Sequence, residues 1–108
     1  MPAPVRLTSS TALVLAAVAR GVRHGFDILE ATELKSGTVY PILRRLEDAG
    51  LLRSRWEPVR DARDAGRPPR RLYELTGAGA EALREAIERH PELLGGTRGR
   101  VVLRPRPA

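Results

Sequence analysis

The apolar period of this chain changes at Gly50, and that change constrains the fold more than any other feature. Before it, Val39, Ile42, Leu43, Leu46 and Ala49 recur at three- and four-residue spacing, which predicts an amphipathic helix with one buried face. After it, Leu51 to Glu57 alternates, with Leu52, Ser54 and Trp56 on one face, and Arg70 to Leu75 reads as its antiparallel partner. Between the two strands, Pro58 to Pro69 holds three prolines, one glycine and mixed charge, a composition suited to a mobile hairpin tip rather than a packed element. Trp56 and Tyr73 are expected in the core of the hairpin base, because a two-stranded ribbon needs large cross-strand partners to be stable.

Three further segments carry helical signals. Thr8 to Arg20 opens on Thr8 or Ser9 as a cap and closes at Gly21; Leu13, Ala16, Ala17 and Arg20 share a face, and Leu15 and Val18 widen the apolar surface beyond one stripe. Such a helix is expected to be buried on more than one side. Phe26 to Ala31 or Thr32 forms a short second helix with Phe26, Leu29 and Ile28 inward and Asp27 and Glu30 outward. In the third, Ser36 is the expected N-cap, Gly37 the first helical residue, and Pro41 lies one turn in, where its missing N–H removes at most one early hydrogen bond. Gly37, Tyr40, Pro41, Arg44, Arg45 and Asp48 then lie opposite the apolar face. Thr76 caps a last helix that runs to Arg89 or His90, with Leu83 and Ile87 one turn apart and Pro91 ending it.

Composition narrows the function. The chain has 108 residues, the length of one domain, and its longest apolar stretch, Ala12 to Ala19, is too short to span a bilayer. It holds no cysteine, and its two histidines, His24 and His90, are far apart, so neither a zinc site nor a nucleophile–histidine pair has its parts. No enzyme activity, no cofactor and no membrane association are expected. The first residues lack the pattern of a secretory signal, which points to a cytoplasmic protein. The formal charge of +6 is unevenly placed, with +1 over residues 1–50, +3 over 51–75, −2 over 76–97 and +4 over 98–108. Basic excess attracts polyanions, but it is also common on plain solvated surface.

Three helices, a basic hairpin and a further helix, in that order, define a mainly α domain with a small antiparallel β-hairpin. This is the order of a winged helix-turn-helix: a three-helix core plus wing and one C-terminal helix. Residues 1–7 are expected to be a flexible N-terminus, 8–90 the winged-helix domain, and 91–108 a basic, disordered tail. In this fold the first two helices brace the third so that its outer face enters a major groove, while the wing grips the flanking backbone. The same fold also serves as a protein-interaction module.

The run His24-Gly-Phe-Asp-Ile28, then Ser36-Gly-Thr-Val-Tyr-Pro-Ile-Leu-Arg-Arg-Leu-Glu-Asp-Ala-Gly-Leu-Leu52, then Trp56-Glu57, then Gly66-Arg-Pro-Pro-Arg-Arg-Leu-Tyr-Glu-Leu-Thr76 with Gly79, resembles the PadR family of bacterial transcriptional regulators. The resemblance covers residues 7 to about 87. It implies that the third helix is the recognition helix, that residues 51–75 form the wing, and that protomers pair through helices after the wing. Here only the last helix, together with the first, is available for that pairing. The link Glu33-Leu-Lys35 is shorter than in many members, which bears on the angle between the second and third helices.

The expected DNA-binding residues are Ser36, Thr38, Tyr40, Pro41, Arg44, Arg45, Arg67, Arg70 and Arg71. Arg44 and Arg45 sit on the outward side of the third helix, where a guanidinium reaches guanine edges or phosphates; the plainer reading is a solvated pair partnered by Glu47 or Asp48. Ser36, Thr38 and Tyr40 lie at the helix start, which attracts phosphate, although Ser36 also fits simple capping and Tyr40 also fits packing beneath the wing. Lys35 is as readily an ordinary loop lysine. Arg67, Arg70 and Arg71 flank a slim Gly-Arg-Pro tip suited to a minor groove. Arg60 and Arg63 alternate with Asp61 and Asp64, which are positioned to cancel them. Gly77-Ala-Gly79 is a helix start rather than a dinucleotide loop, His24 a structural loop residue, and His90 lies where a cation suits a helix C-terminus. The expected function is a sequence-specific regulator, a repressor binding a palindromic double-stranded DNA operator as a homodimer with an unidentified small-molecule effector; the alternative is a winged-helix module that binds protein instead.

Overall fold

The computed structural model describes residues 8–91. Seven elements follow in the order α1 (Ser9–Ala19), α2 (Gly25–Thr32), α3 (Ser36–Asp48), β1 (Leu52–Trp56), α4 (Val59–Asp64), β2 (Arg71–Leu75) and α5 (Gly77–Arg89). The expected flexible N-terminus and most of the expected tail lie outside the described residues. No described helix is long and apolar enough to cross a membrane.

α1 is the hub. Thr8 caps it, its hydroxyl accepting from the Thr11 N–H at 3.2 Å, and Thr11, Ala12 and every residue from Val14 to Val18 are buried. It touches α2, α3, α5 and β2, which is why its apolar residues are not confined to a stripe. Val14, Leu15, Ile28, Val39, Ile42, Leu43, Leu46, Leu52 and Leu83 form one core. Each of these side chains contributes about 1.5–3 kcal/mol on burial, before the entropy of ordering it. Thr32 is also fully buried, its hydroxyl satisfied by donation to the Ile28 carbonyl at 2.7 Å.

Two helical details differ from the sequence expectation. Phe26 is 65% exposed. In α2 the buried positions are Ile28 and Thr32, one turn apart, and Phe26 is about 200° around the helix from Ile28, so it cannot share their face. The N-cap of α3 is Lys35, not Ser36, and no side chain caps the helix. Glu33 takes a left-handed conformation (φ 59°) to turn the chain out of α2, and this short link brings Lys35 to the helix already extended. The Lys35 carbonyl then accepts from the Thr38 and Val39 N–H groups.

The hairpin pairs β1 and β2 antiparallel, with Leu52 opposite Leu75, Ser54 opposite Tyr73 and Trp56 opposite Arg71. The α1–α2 link adds a rudimentary third strand: His24 bridges Leu72, and Tyr73 N–H donates to the Arg23 carbonyl at 2.9 Å. The segment expected as a mobile tip contains α4. Its Ala62 is buried, its first turn closes on the Pro58 carbonyl, and Arg67 N–H donates back to the Ala62 carbonyl at 3.1 Å. With only Val59 and Ala62 apolar, so short a helix leaves no periodic signal. Trp56, expected in the hairpin base, is 63% exposed, because only the Leu52–Leu75 end of that face reaches the core; Tyr73 is half-buried against the core.

Gly79 carries a steric demand. A Cβ there would lie 2.0 Å from the Leu51 carbonyl oxygen, whereas at Gly77 it would meet nothing within 4 Å. Gly79→Ala is therefore expected to cost about 1–3 kcal/mol, as overpacking does, while Gly77→Ala stays within about 0.5 kcal/mol, as free surface sites do. Urea midpoints of the two variants test this, and equal midpoints would refute it.

Candidate nucleic-acid interface

α3 turns Val39, Ile42, Leu43 and Leu46 into the core, which fixes what faces outward. Ser36, Thr38, Tyr40, Pro41, Arg44 and Arg45 are all exposed along that side, so the six expected residues of this helix fall on one surface. Tyr40 is half exposed. Its ring lies against the start of α2, so close to Gly25 that a Cβ there would be 2.8 Å from the phenol oxygen. Arg44 and Arg45 have no carboxylate within 4.0 Å among the described residues. Glu47, which the plainer reading offered with Asp48 as their partner, is turned to the wing, where it accepts from the Ser54 hydroxyl at 2.5 Å and faces Arg71 at 3.5 Å.

The wing arginines are arranged differently. Glu57, only 9% exposed, takes both terminal nitrogens of Arg67 on its two carboxylate oxygens, the second contact at 2.8 Å. Arg70 adds its backbone N–H at 3.4 Å and its guanidinium at 3.9 Å. Arg71 donates from Nε to the Ser54 hydroxyl at 2.8 Å, and its guanidinium carbon sits 5.4 Å from the centre of the Trp56 ring. Arg53 and Arg55 share Glu74 at 3.3 and 3.6 Å. Arg60 and Arg63, expected to be cancelled by Asp61 and Asp64, form no ion pair with them and are exposed on α4.

Thus the free guanidinium groups of this surface lie on α3 and α4, and those of the hairpin strands are held by glutamates. The sequence reading passed over Glu57 and did not place Glu47 at the wing. The available signal for Glu57 was its position directly before Pro58, across the hairpin from the arginines that follow Gly66. His24 is the N-cap residue of α2 with Nδ1 3.1 Å from Asp27, a structural position as expected.

A family model described as "Transcriptional regulator PadR-like family" matches residues 14–85. The chain belongs to the PadR-like family. It is thus placed among transcriptional regulators rather than enzymes. Its fold is similar to that of a PadR-like transcription factor from Bacteroides fragilis, with 27% identity over 77% of this chain and 81% of the other, TM-score 0.63. A PadR family regulator from Eggerthella lenta is similar too, with 26% identity, 82% and 78% coverage and TM-score 0.61. ZitR of Lactococcus lactis, a zinc-responsive MarR family member, shares the fold at 24% identity and TM-score 0.65 over 86% of this PadR-like chain, which spans 60% of the ZitR chain. No curated protein matches the sequence.

The Glu57 clasp has a pH signature. Hydrogen bonding from Arg67, partly opposed by burial and assisted by the charges of Arg67 and Arg70, lowers the Glu57 carboxyl from about 4.5 to about 2. Because the folded value lies below the unfolded one, the clasp stabilises fully above about pH 4.5 and that contribution is lost as pH falls toward about 2. The Glu57 carboxyl carbon, followed by NMR, reads the clasp directly. In protein that stays folded, its shift is expected to hold steady down to about pH 3 and then change, with that step missing in Glu57→Gln. A wild-type step near pH 4.5, or an unchanged step in the variant, would contradict the assignment.

Proposed function

We propose that this PadR-like chain is a sequence-specific, double-stranded DNA-binding transcriptional repressor that acts as a cytoplasmic homodimer on a palindromic operator. The observation that carries the reading is the outer face of α3, where Arg44 and Arg45 stand exposed without ion pairs on a helix whose other face is locked into the core. A helix held in this way presents guanidinium groups in a fixed frame, which direct readout of guanine edges requires. Ser36 and Thr38 at its start suit phosphate oxygens, and Tyr40 and Pro41 border the same surface. Arg67, Arg70 and Arg71 support the wing, and the exposed Arg60 and Arg63 on α4 stand beside the equally exposed Asp61 and Asp64, so α4 adds no net charge.

Pairing through α1 and α5 is the dimer arrangement we favour. Within one protomer Ala12 and Ala86 are buried where these helices meet, with the partly buried Leu13 and Ile87 around them, so the two helices are packed side by side and share one outer surface. A two-fold dimer sets its two recognition helices in major grooves about one turn apart, roughly 10 bp. Repression follows from occupying the promoter, and an effector that favours another helix spacing relieves it.

A titration of the protein against its own upstream DNA and against scrambled duplex, at several salt concentrations, tests the reading. Preference for the upstream duplex is expected. Arg44→Ala should lose about 1–3 kcal/mol on that duplex and relax its preference, while random DNA is little affected. The measured mass in solution should be that of a dimer. The pairing of the wing arginines with glutamates, which weakens the wing's attraction for phosphate, favours one other reading, a winged-helix module for a protein partner. Equal affinity for upstream and scrambled DNA would select it.

A further inference from the structure

Glu47 is out of place on a DNA-facing surface. It follows Tyr40 and Arg44 at helical spacing, seven and three residues on, and so lies on the same stripe of α3. A carboxylate there repels phosphate. Its neighbours account for its position: one oxygen accepts from the Ser54 hydroxyl on β1 and faces the Arg71 guanidinium on β2, so a single side chain of the recognition helix holds both strands of the wing. The hydroxyl is used in both senses, donating to Glu47 at 2.5 Å and accepting from Arg71 Nε at 2.8 Å. With the Trp56 ring against it, the Arg71 guanidinium has three restraints, all from the protein.

The Glu57 clasp lies within the hairpin tip, whereas the Glu47 network couples the wing to the recognition helix. Resting on the DNA-binding reading above, we propose that Glu47 is a specificity-determining residue. It fixes the wing against the recognition helix and withholds the Arg71 guanidinium from the phosphates of non-cognate DNA. Non-cognate duplex is bound through charge alone, so each withheld cation lowers that affinity. Cognate duplex is bound through a fixed arrangement of helix and wing, and a brace that exists before binding reduces the ordering cost of that complex. One carboxylate therefore weakens the wrong complex and supports the right one.

Glu47→Gln keeps an oxygen for the Ser54 hydroxyl and removes the charge that holds Arg71. Its binding to upstream and scrambled duplexes, measured by fluorescence anisotropy over a range of salt, is the test. Scrambled DNA should bind about 5- to 10-fold more tightly near 0.1 M salt, with the salt slope steeper by about 0.9, the equivalent of one added phosphate contact. Upstream DNA should gain less than scrambled DNA, so that the preference between them falls. In an Arg71→Ala background the same change should leave scrambled binding within about twofold, because the cation it releases is gone.

A brace with only a structural role predicts the opposite, weaker binding of Glu47→Gln to both duplexes. That result overturns the proposal, as does an equal gain on both duplexes or a gain that survives in the Arg71→Ala background. Ser54→Ala, which loosens the network but leaves the Glu47 charge beside Arg71, should not steepen the salt slope; a steepening like that of Glu47→Gln also overturns the proposal. Wild-type protein that binds neither duplex refutes the DNA-binding reading itself, whereas wild-type preference with no change in Glu47→Gln refutes this inference alone.

Discussion

The junction at Leu51 holds the architecture together. Gly50, at φ 77°, ends α3 and lets Leu51 N–H donate back to the Leu46 carbonyl at 2.9 Å. The Leu51 carbonyl then accepts from Thr76 N–H at 3.1 Å, while the Thr76 hydroxyl donates to the Gly50 carbonyl at 2.7 Å. The same hydroxyl accepts from Gly79 N–H at 3.0 Å and caps α5. The end of the recognition helix, the base of both wing strands and the start of the last helix thus meet through a few backbone groups, with Gly79 admitting the close approach. Buried backbone groups must be paired, so these partners are not readily exchanged, and the position of the wing relative to α3 follows from them.

Charge is distributed on that frame by a simple division. Among the described residues, Arg44 and Arg45 on α3 and Arg60 and Arg63 on α4 have no ion pair, whereas Arg84 on α5 pairs with Glu81. Arginines of the hairpin are taken by three glutamates: Glu57 holds Arg67 and Arg70, Glu74 holds Arg53 and Arg55, and Glu47 holds Arg71. Exposed ion pairs of this sort add little stability singly. Their greater effect is on the field: three glutamates offset part of the charge of five arginines, and the exposed Asp61 and Asp64 balance Arg60 and Arg63 on α4, so the guanidinium groups least opposed by a paired carboxylate are those of the recognition helix.

Much of the fold was legible in the residues themselves. The stop at Gly50, the caps at Thr8 and Thr76, the buried face of α3 and the two strands all rest on local stereochemistry or on a period that the sequence displays directly. The outward set of α3 followed from the same period, because fixing one face of a helix fixes the other. Phe26 was misjudged since an eight-residue helix offers too few apolar positions to set its phase. α4 was missed since it has no apolar period, and its anchors, the Pro58 and Ala62 carbonyls and the Arg70 carbonyl that accepts from Glu57 N–H, belong to the closed hairpin.

Sequence alone therefore determined the order of the elements other than α4, the limits of those helices to within a residue or two, the family resemblance and the list of exposed cations on α3. Tertiary structure decided which cations remain free. Whether Arg71 meets Glu47, and Arg67 meets Glu57, depends on strand register and on the angle between wing and helix, distances set by packing rather than by chain neighbours. Coulomb interaction falls with separation in space, and separation in space is what a linear pattern of charges leaves unspecified.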